Sequence, residues 1–316
     1  MILTKIDVVI AAHSKDKDTL DLCIKYAKNN VINVNNIYVV SKTKLSDNAI
    51  WIPENTIPYS FEKLEKKIGK HKRTGWYYAG IIHMSCLFFI PNILDNIVII
   101  DSDTLVLKPT KFIDNGIGLF NISPTDGTPV YYEHAFKLIP ELNKQHSWSG
   151  VCHHIVMNKN ILLDLYKKIE NIHNKNFIEA YIDVTLEPYK CLNEKTYSDV
   201  LGKHENGPGR LTSYELYFTF ALQYHKDKVR IRKLNSILAY KGRIGAPGCN
   251  LDNINRNYSS NTNLNGRVQI IPRKIETKFN FESIPEAIDY IANICKNKNY
   301  DMVSFHNHCR WKKIPI

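Results

Sequence analysis

Ile97-Val98-Ile99-Ile100-Asp101-Ser102-Asp103-Thr104-Leu105-Val106 is the stretch that decides the fold. Four consecutive apolar residues, Ile97 to Ile100, read as a strand buried on both faces, as in a parallel sheet covered by helices. The strand runs straight into two aspartates spaced i, i+2. Buried unpaired charge is costly, so both carboxylates cannot be core residues. Parallel α/β sheets present ligands at the carboxyl ends of their strands, which aims Asp101 and Asp103 at a binding crevice. Hard oxygen donors at this spacing suit Mg²⁺ or Mn²⁺ shared with a substrate's phosphates. The plainer alternative is an acidic turn that closes the strand.

Working outward, Ile6 to Ala12 is another continuous apolar run, Leu20 to Ala27 has helical spacing, and Ile37 to Val40 is a second buried strand. Strand, helix, strand within some forty residues is a βαβ unit. Trp76 to Ile90 reads as a buried helix that stops at Pro91. After Pro109 the spacing predicts short strands and turns from Gly116 to Val130. Helices follow near Ile161 to Ile172, Tyr214 to Tyr224 and Ser283 to Cys295. Between Lys241 and Arg273 the chain is rich in Gly, Asn, Ser and Arg, an irregular excursion rather than a linker, because apolar residues resume at Val268 to Ile271. No internal repeat is present.

The 316 residues are 44% hydrophobic and 23% charged, which excludes disorder, collagen and coiled coil as the main architecture. With 42 basic and 31 acidic residues, the net charge is +11. That balance favours polyanions (nucleic acid, anionic membranes or phosphate-bearing small molecules), or else is a solvated Lys-rich surface. Seven scattered cysteines form no C-x-x-C pair, so neither a zinc knuckle nor a disulfide framework is expected, and a reducing compartment fits best. Met1 to Ile10 lacks a cleavage-site pattern, and the apolar stretch Ile81 to Ile100 is interrupted by His83, Pro91, Asn92, Asp95 and Asn96. The expectation is a soluble, cytoplasmic protein with no transmembrane segment. No G-x-G-x-x-G or P-loop string occurs, which argues against dinucleotide or ATP binding.

Two enzyme classes use an apolar strand followed by D-x-D. Haloacid-dehalogenase-type phosphohydrolases would make Asp101 a nucleophile and Asp103 an acid/base, but they place the motif on an early strand and follow it with a late acidic pair. Here a βαβ unit precedes the motif and no such pair follows. Nucleotide-sugar glycosyltransferases of the GT-A fold carry D-x-D about a hundred residues in, after a nucleotide-binding half. A third, non-catalytic alternative is a basic polyanion-binding protein.

The order of the Ile6–Ala12 strand, Gly75-Trp76-Tyr77-Tyr78, Pro91-x-Ile93-Leu94-Asp95-Asn96 and Asp101-Ser102-Asp103 resembles the DUF6492 family of GT-A glycosyltransferases. Ser149-Gly150-Val151-Cys152-His153-His154, Ser213-Tyr214-Glu215-Leu216-Tyr217 and Val303-Ser304-Phe305-His306 fit the same family, so the resemblance covers nearly the whole chain. It implies an α/β fold of GT-A type in a single domain, residues 1–316. A Rossmann-like nucleotide-binding half with a central mixed sheet would span about residues 1–108. An acceptor-binding half, with an irregular loop at 241–265, would span 109–316. The implied activity is metal-dependent transfer of a sugar from a nucleotide-diphosphate sugar, UDP-sugar favoured, to a hydroxyl on a glycan, lipid or protein, with no nucleic-acid partner.

The same resemblance implies Mn²⁺ or Mg²⁺ held by Asp103, with Asp101 bridging metal and donor ribose and His306 completing the shell. Ser102 lies within that motif. Ala11, Ala12 and His13, ending the first strand, would seat a uracil-type base. Ser149 and Gly150, in a small-residue turn, would let the backbone approach the donor sugar. Lys72 and Arg73 are placed to neutralise phosphates, or are a solvated basic pair. Glu215 is the candidate general base or acceptor-orienting carboxylate, its alternative being a helix-start glutamate favoured by the dipole with Ser213 as cap. His153 and His154 are candidates for the acceptor side, one of them structural.

Overall fold

The computed structural model describes residues 4–70, 73–123, 129–187, 211–239, 267–270 and 284–305. Strand β1 (Ile6–Ala11) leads into helix α1 (Lys17–Asn30), then β2 (Val34–Ser41), edge strand β3 (Ile50–Pro53), α2 (Phe61–Ile68), α3 (Thr74–Phe89) and β4 (Asn96–Ile100). The next strands are β5 (Thr104–Val106), β6 (Ile113–Asp114) and β7 (Ile117–Phe120), followed by α4 (Pro129–Leu138), β8 (His154–Asn158), α5 (Lys159–His173) and α6 (Phe177–Asp183). Beyond these come α7 (Ser213–Tyr224), β9 (Val229–Ile231), β10 (Ser236–Ala239), β11 (Arg267–Ile270), α8 (Ile284–Asn297) and β12 (Met302–Ser304).

The main sheet has the order β3-β2-β1-β4-β8. Its first four strands are parallel, and β8 runs antiparallel to β4. Val8, Val9 and Ile10 on β1, and Ile97 to Ile100 on β4, are all 0% exposed, as strands covered by helices on both faces require. The chain winds from β1 outward to β2 and β3, then returns through α3 to β4 on the other side of β1. Between β1 and β4 the order therefore reverses, the place where open α/β sheets form a ligand crevice at the carboxyl ends of their strands. The expected α/β class, with a Rossmann-like half and a mixed central sheet, is what the strands form.

Helix α3 is buried nearly all round, including Tyr77, Ile81, His83 and Leu87, and so carries no polar stripe. One buried charge sits at the opposite end of the sheet from the crevice. Asp7 is 0% exposed. It accepts from the Asn36 N–H and Asn35 Nδ2, each at 2.9 Å, and from the Leu94 N–H at 2.8 Å, tying the start of β2 to the segment that leads into β4.

The run that looks continuous in sequence, residues 97–106, is divided between two sheets. β4 belongs to the main sheet, whereas β5 pairs antiparallel with β12 in a second sheet of order β11-β10-β12-β5. Asp101-Ser102-Asp103 is the crossing between them. A third sheet, β6-β7-β9, lies after β5 in the chain. Pro129 and Val130, at the end of the region expected to hold short strands and turns, begin helix α4 instead. The loop expected at 241–265 lies outside the described residues. Among the described residues, no helix is long and apolar enough to cross a membrane, and Cys23, Cys86, Cys152 and Cys295 are free and buried.

Candidate active site

Register builds the site. Val9 of β1 lies opposite Ile99 of β4, so two residues further along each strand bring Ala11 and Asp101 to the same end of the sheet. On the other side of β4, Ile100 pairs with His154 of β8. The antiparallel step then sets His153 beside Asp101, whose N–H donates to the His153 carbonyl at 3.0 Å. The second sheet reaches the same place. Ser304 pairs with Thr104, and the Phe305 N–H donates to the Asp103 carbonyl at 2.9 Å.

Among the described residues, Asp101, Asp103 and His153 form a group whose candidate ligand atoms all lie within 4.8 Å of one another. His153 Nδ1 is 2.8 Å from Asp101 Oδ2, and the Tyr214 hydroxyl donates to Asp101 Oδ1 at 2.5 Å. Burial by itself would raise the Asp101 carboxyl. The hydrogen bond and charge of His153 outweigh it, helped by Tyr214, and hold the group well below the usual carboxylate range. His153 adopts φ +59°, an uncommon conformation for a non-glycine residue and one met at functional sites.

The donor set fits a divalent cation. Ligand atoms about 2.1 Å from an octahedral ion stand roughly 3 Å apart when adjacent, and two carboxylates with one imidazole suit Mn²⁺ or Mg²⁺. The 2.8 Å between His153 and Asp101 is thus a spacing that a shared ion can occupy as readily as a shared proton.

The remaining expected residues divide. Ala11 and Ala12 end β1 at the crevice, Ala12 held by its N–H to the Val40 carbonyl at 3.0 Å. His13 follows, but its ring caps the short turn after it, accepting from the Lys15 N–H at 3.2 Å. Ser102 is buried. Arg73 directly precedes α3, and Lys72 and His306 lie outside the described residues. His154 is the structural histidine of its pair. It is buried between the Asn121 side chain and the Cys152 carbonyl, each at 2.9 Å, and burial pushes its imidazole down to about 3.

Glu215, Ser149 and Gly150 require correction in their surroundings. The Glu215 carboxylate is 0% exposed, and all its observed donors belong to the protein. Oε2 accepts from Ser149 Oγ at 2.5 Å and the Gly150 N–H at 3.0 Å, and Oε1 accepts from Thr219 Oγ1 at 2.8 Å. A carboxylate enclosed in this way holds the 149–150 turn against the helix. Burial raises its pKa against the pull of those donors. Gly150 is small for a different reason from the one expected. A Cβ there would stand 2.3 Å from the Phe218 ring, so the residue makes room for α7. The cap of α7 is Thr212, which accepts from the Glu215 N–H at 3.0 Å, not Ser213.

His153 and Tyr214 are the residues that sequence reasoning did not assign to the cation site. A signal for His153 existed in its place, directly ahead of the strand-like His154-Ile155-Val156-Met157, though only the pairing with β4 gives it meaning. Tyr214 carried none beyond its proximity to Glu215.

No protein-family model matches the chain, and no curated protein matches its sequence. Among solved structures, mouse xyloside xylosyltransferase 1 in its apo form is similar at 11% identity, covering 99% of this chain and all of that one, with a TM-score of 0.37. The galactosyltransferase LgtC in complex with donor and acceptor sugar analogues is similar at 10% identity, covering 92% of this chain and 96% of that one, with a TM-score of 0.38. At this level the likenesses say nothing of donor, metal or acceptor.

Proposed function

We propose that the protein is a GT-A glycosyltransferase that moves a sugar from a nucleotide-diphosphate sugar, UDP-sugar favoured, to a hydroxyl acceptor with the help of Mn²⁺ or Mg²⁺. The observation that carries this reading is the Asp101–Asp103–His153 group at the topological switch point between β1 and β4. A ligand entering that crevice would meet the end of β1 on one side and the acidic group on the other. A divalent ion held there would neutralise the negative charge that builds on the departing diphosphate. Ala11 and Ala12 offer a small, flat seat at the end of β1 on which a nucleobase can rest. The backbones that carry Asp101 and Asp103 are held by hydrogen bonds to His153 and Phe305.

A nucleophilic Asp101, as a phosphohydrolase would need, fits less well. Such enzymes also use a late acidic pair, which has no counterpart after the motif in this sequence. The test is to incubate the protein with a panel of nucleotide sugars and Mn²⁺ and to follow nucleoside-diphosphate release. Release from one donor class, abolished by Asp103→Ala and by chelation, supports the reading. Release of inorganic phosphate from phosphomonoesters, with no turnover of any nucleotide sugar, contradicts it.

A further inference from the structure

Two consecutive residues at the start of α7 reach different segments, one to Asp101 and the other to the turn that precedes His153. Neighbouring helix positions diverge by about 100°, so a single turn can hold two separate segments. Tyr214 extends to β4, where its hydroxyl donates to Asp101 Oδ1 at 2.5 Å. Glu215 extends to the 149–150 turn and gathers Ser149 Oγ and the Gly150 N–H on one oxygen. Gly150 is three residues before His153, and Ser149 Oγ also takes the Val151 N–H at 3.1 Å, so the grip continues towards the imidazole.

Both side chains are themselves fixed. The Tyr214 ring stacks on His83 of α3, with centroids 5.2 Å apart and planes 7° from parallel, and His83 Nδ1 lies 3.1 Å from Ser213 Oγ. Thr219, one helical turn on, holds the second oxygen of Glu215 at 2.8 Å.

We infer that the first turn of α7 positions the cation site: Tyr214 sets the Asp101 carboxylate so that Oδ2 faces His153, and Glu215 sets the turn that delivers His153. This rests on the reading of Asp101, Asp103 and His153 as cation ligands. Tyr214 and Glu215 are positioning residues, since each acts through a ligand and neither need touch the ion. Groups that orient metal ligands typically influence affinity by about 10–100-fold, which sets the expected size of the effect.

The experiment is a Mn²⁺ titration followed by electron paramagnetic resonance on wild type, Asp103→Ala, Tyr214→Phe and Ser149→Ala, with melting temperatures measured in chelator. Tyr214→Phe removes one hydroxyl and keeps the stacked ring. It is expected to weaken Mn²⁺ binding about 10-fold or more and to alter the bound-ion spectrum. A residue that only packs would lower the melting temperature in chelator and leave the Mn²⁺ affinity of the folded protein unchanged. Should Tyr214→Phe fail to fold, Ser149→Ala tests the other arm by the same titration. Wild-type affinity in the folded variants, with binding abolished in Asp103→Ala, overturns the positioning role and leaves the cation site standing. Absence of Mn²⁺ binding by wild type, or full binding by Asp103→Ala, removes the cation site and the positioning role together.

Discussion

The Asp101 carboxylate and the His153 imidazole meet at 2.8 Å although 52 residues separate them in sequence. Their meeting follows from one antiparallel pairing, Ile100 with His154, which makes the sheet mixed and brings an imidazole back to the acidic motif. The backbone at φ +59° is the cost of aiming that ring, and it separates the conformational role of residue 153 from its chemical one.

His153→Gly removes the imidazole while giving the backbone a residue that tolerates positive φ. Loss of the imidazole that faces Asp101 should cost stability in chelator, partly offset by the relieved backbone, whereas Mn²⁺ affinity should fall by at least about 10-fold. His153→Ala should lose the same affinity and more stability. Paired denaturation and Mn²⁺ titration curves decide the matter, and equal affinity in all three proteins would remove His153 from the site.

Glu215→Ala leaves the buried Gly150 N–H and Ser149 hydroxyl without their acceptor and should cost about 2–4 kcal/mol. Glu215→Gln keeps the shape and should cost far less. The pH dependence follows from the raised pKa of Glu215. The folded state holds the proton more tightly than the unfolded chain, so this contribution is complete below the ordinary value of about 4.3 and is lost as pH rises through the raised value. Thermal melts in chelator across that range should show wild type declining relative to Glu215→Gln. Parallel curves would contradict the assignment.

Gly150→Ala drives a methyl group to within 2.3 Å of the Phe218 ring. Overpacking of this kind should cost about 1–3 kcal/mol, and Phe218→Leu in the same chain should recover part of it. Urea denaturation of the single and double variants measures the coupling. Strict additivity would mean that the glycine is small for another reason.

Asp7→Ala removes the acceptor for two backbone N–H groups and one side-chain amide at the far end of the sheet, and should destabilise by about 2–4 kcal/mol. The variant's folded fraction should nevertheless bind Mn²⁺ as wild type does, since the carboxylate lies at the amino end of β1 and the ligands at the carboxyl ends. A selective loss of Mn²⁺ affinity would show that the two ends of the sheet are coupled.

Much of the main sheet was legible because its strands are buried on both faces and so carry uninterrupted apolar runs. Ile6–Ala11, Ile97–Ile100 and the long helix before Pro91 needed no partner to be recognised. Strand β8 was less visible, since it begins at a histidine and its role depends on a pairing 54 residues away, between His154 and Ile100. For the same reason the acidic half of the cation group was readable, whereas its imidazole and the hydroxyl of Tyr214 were not. Glu215 illustrates the opposite hazard: a carboxylate opening an apolar helix looks catalytic in sequence, and only its three enclosing donors reveal a structural anchor.

The most direct measurement is a thermal-shift series with UDP and other nucleoside diphosphates, each with and without Mn²⁺, on wild type and Asp103→Ala at two salt concentrations. A ligand that binds only the folded state at about 100 times its Kd adds about 2.7 kcal/mol, enough for a rise of several degrees. The expected result is a rise that requires nucleotide, Mn²⁺ and Asp103 together and persists at higher salt. An equal rise in Asp103→Ala, or one that needs no metal and vanishes with salt, would contradict it and identify a polyanion-binding surface instead.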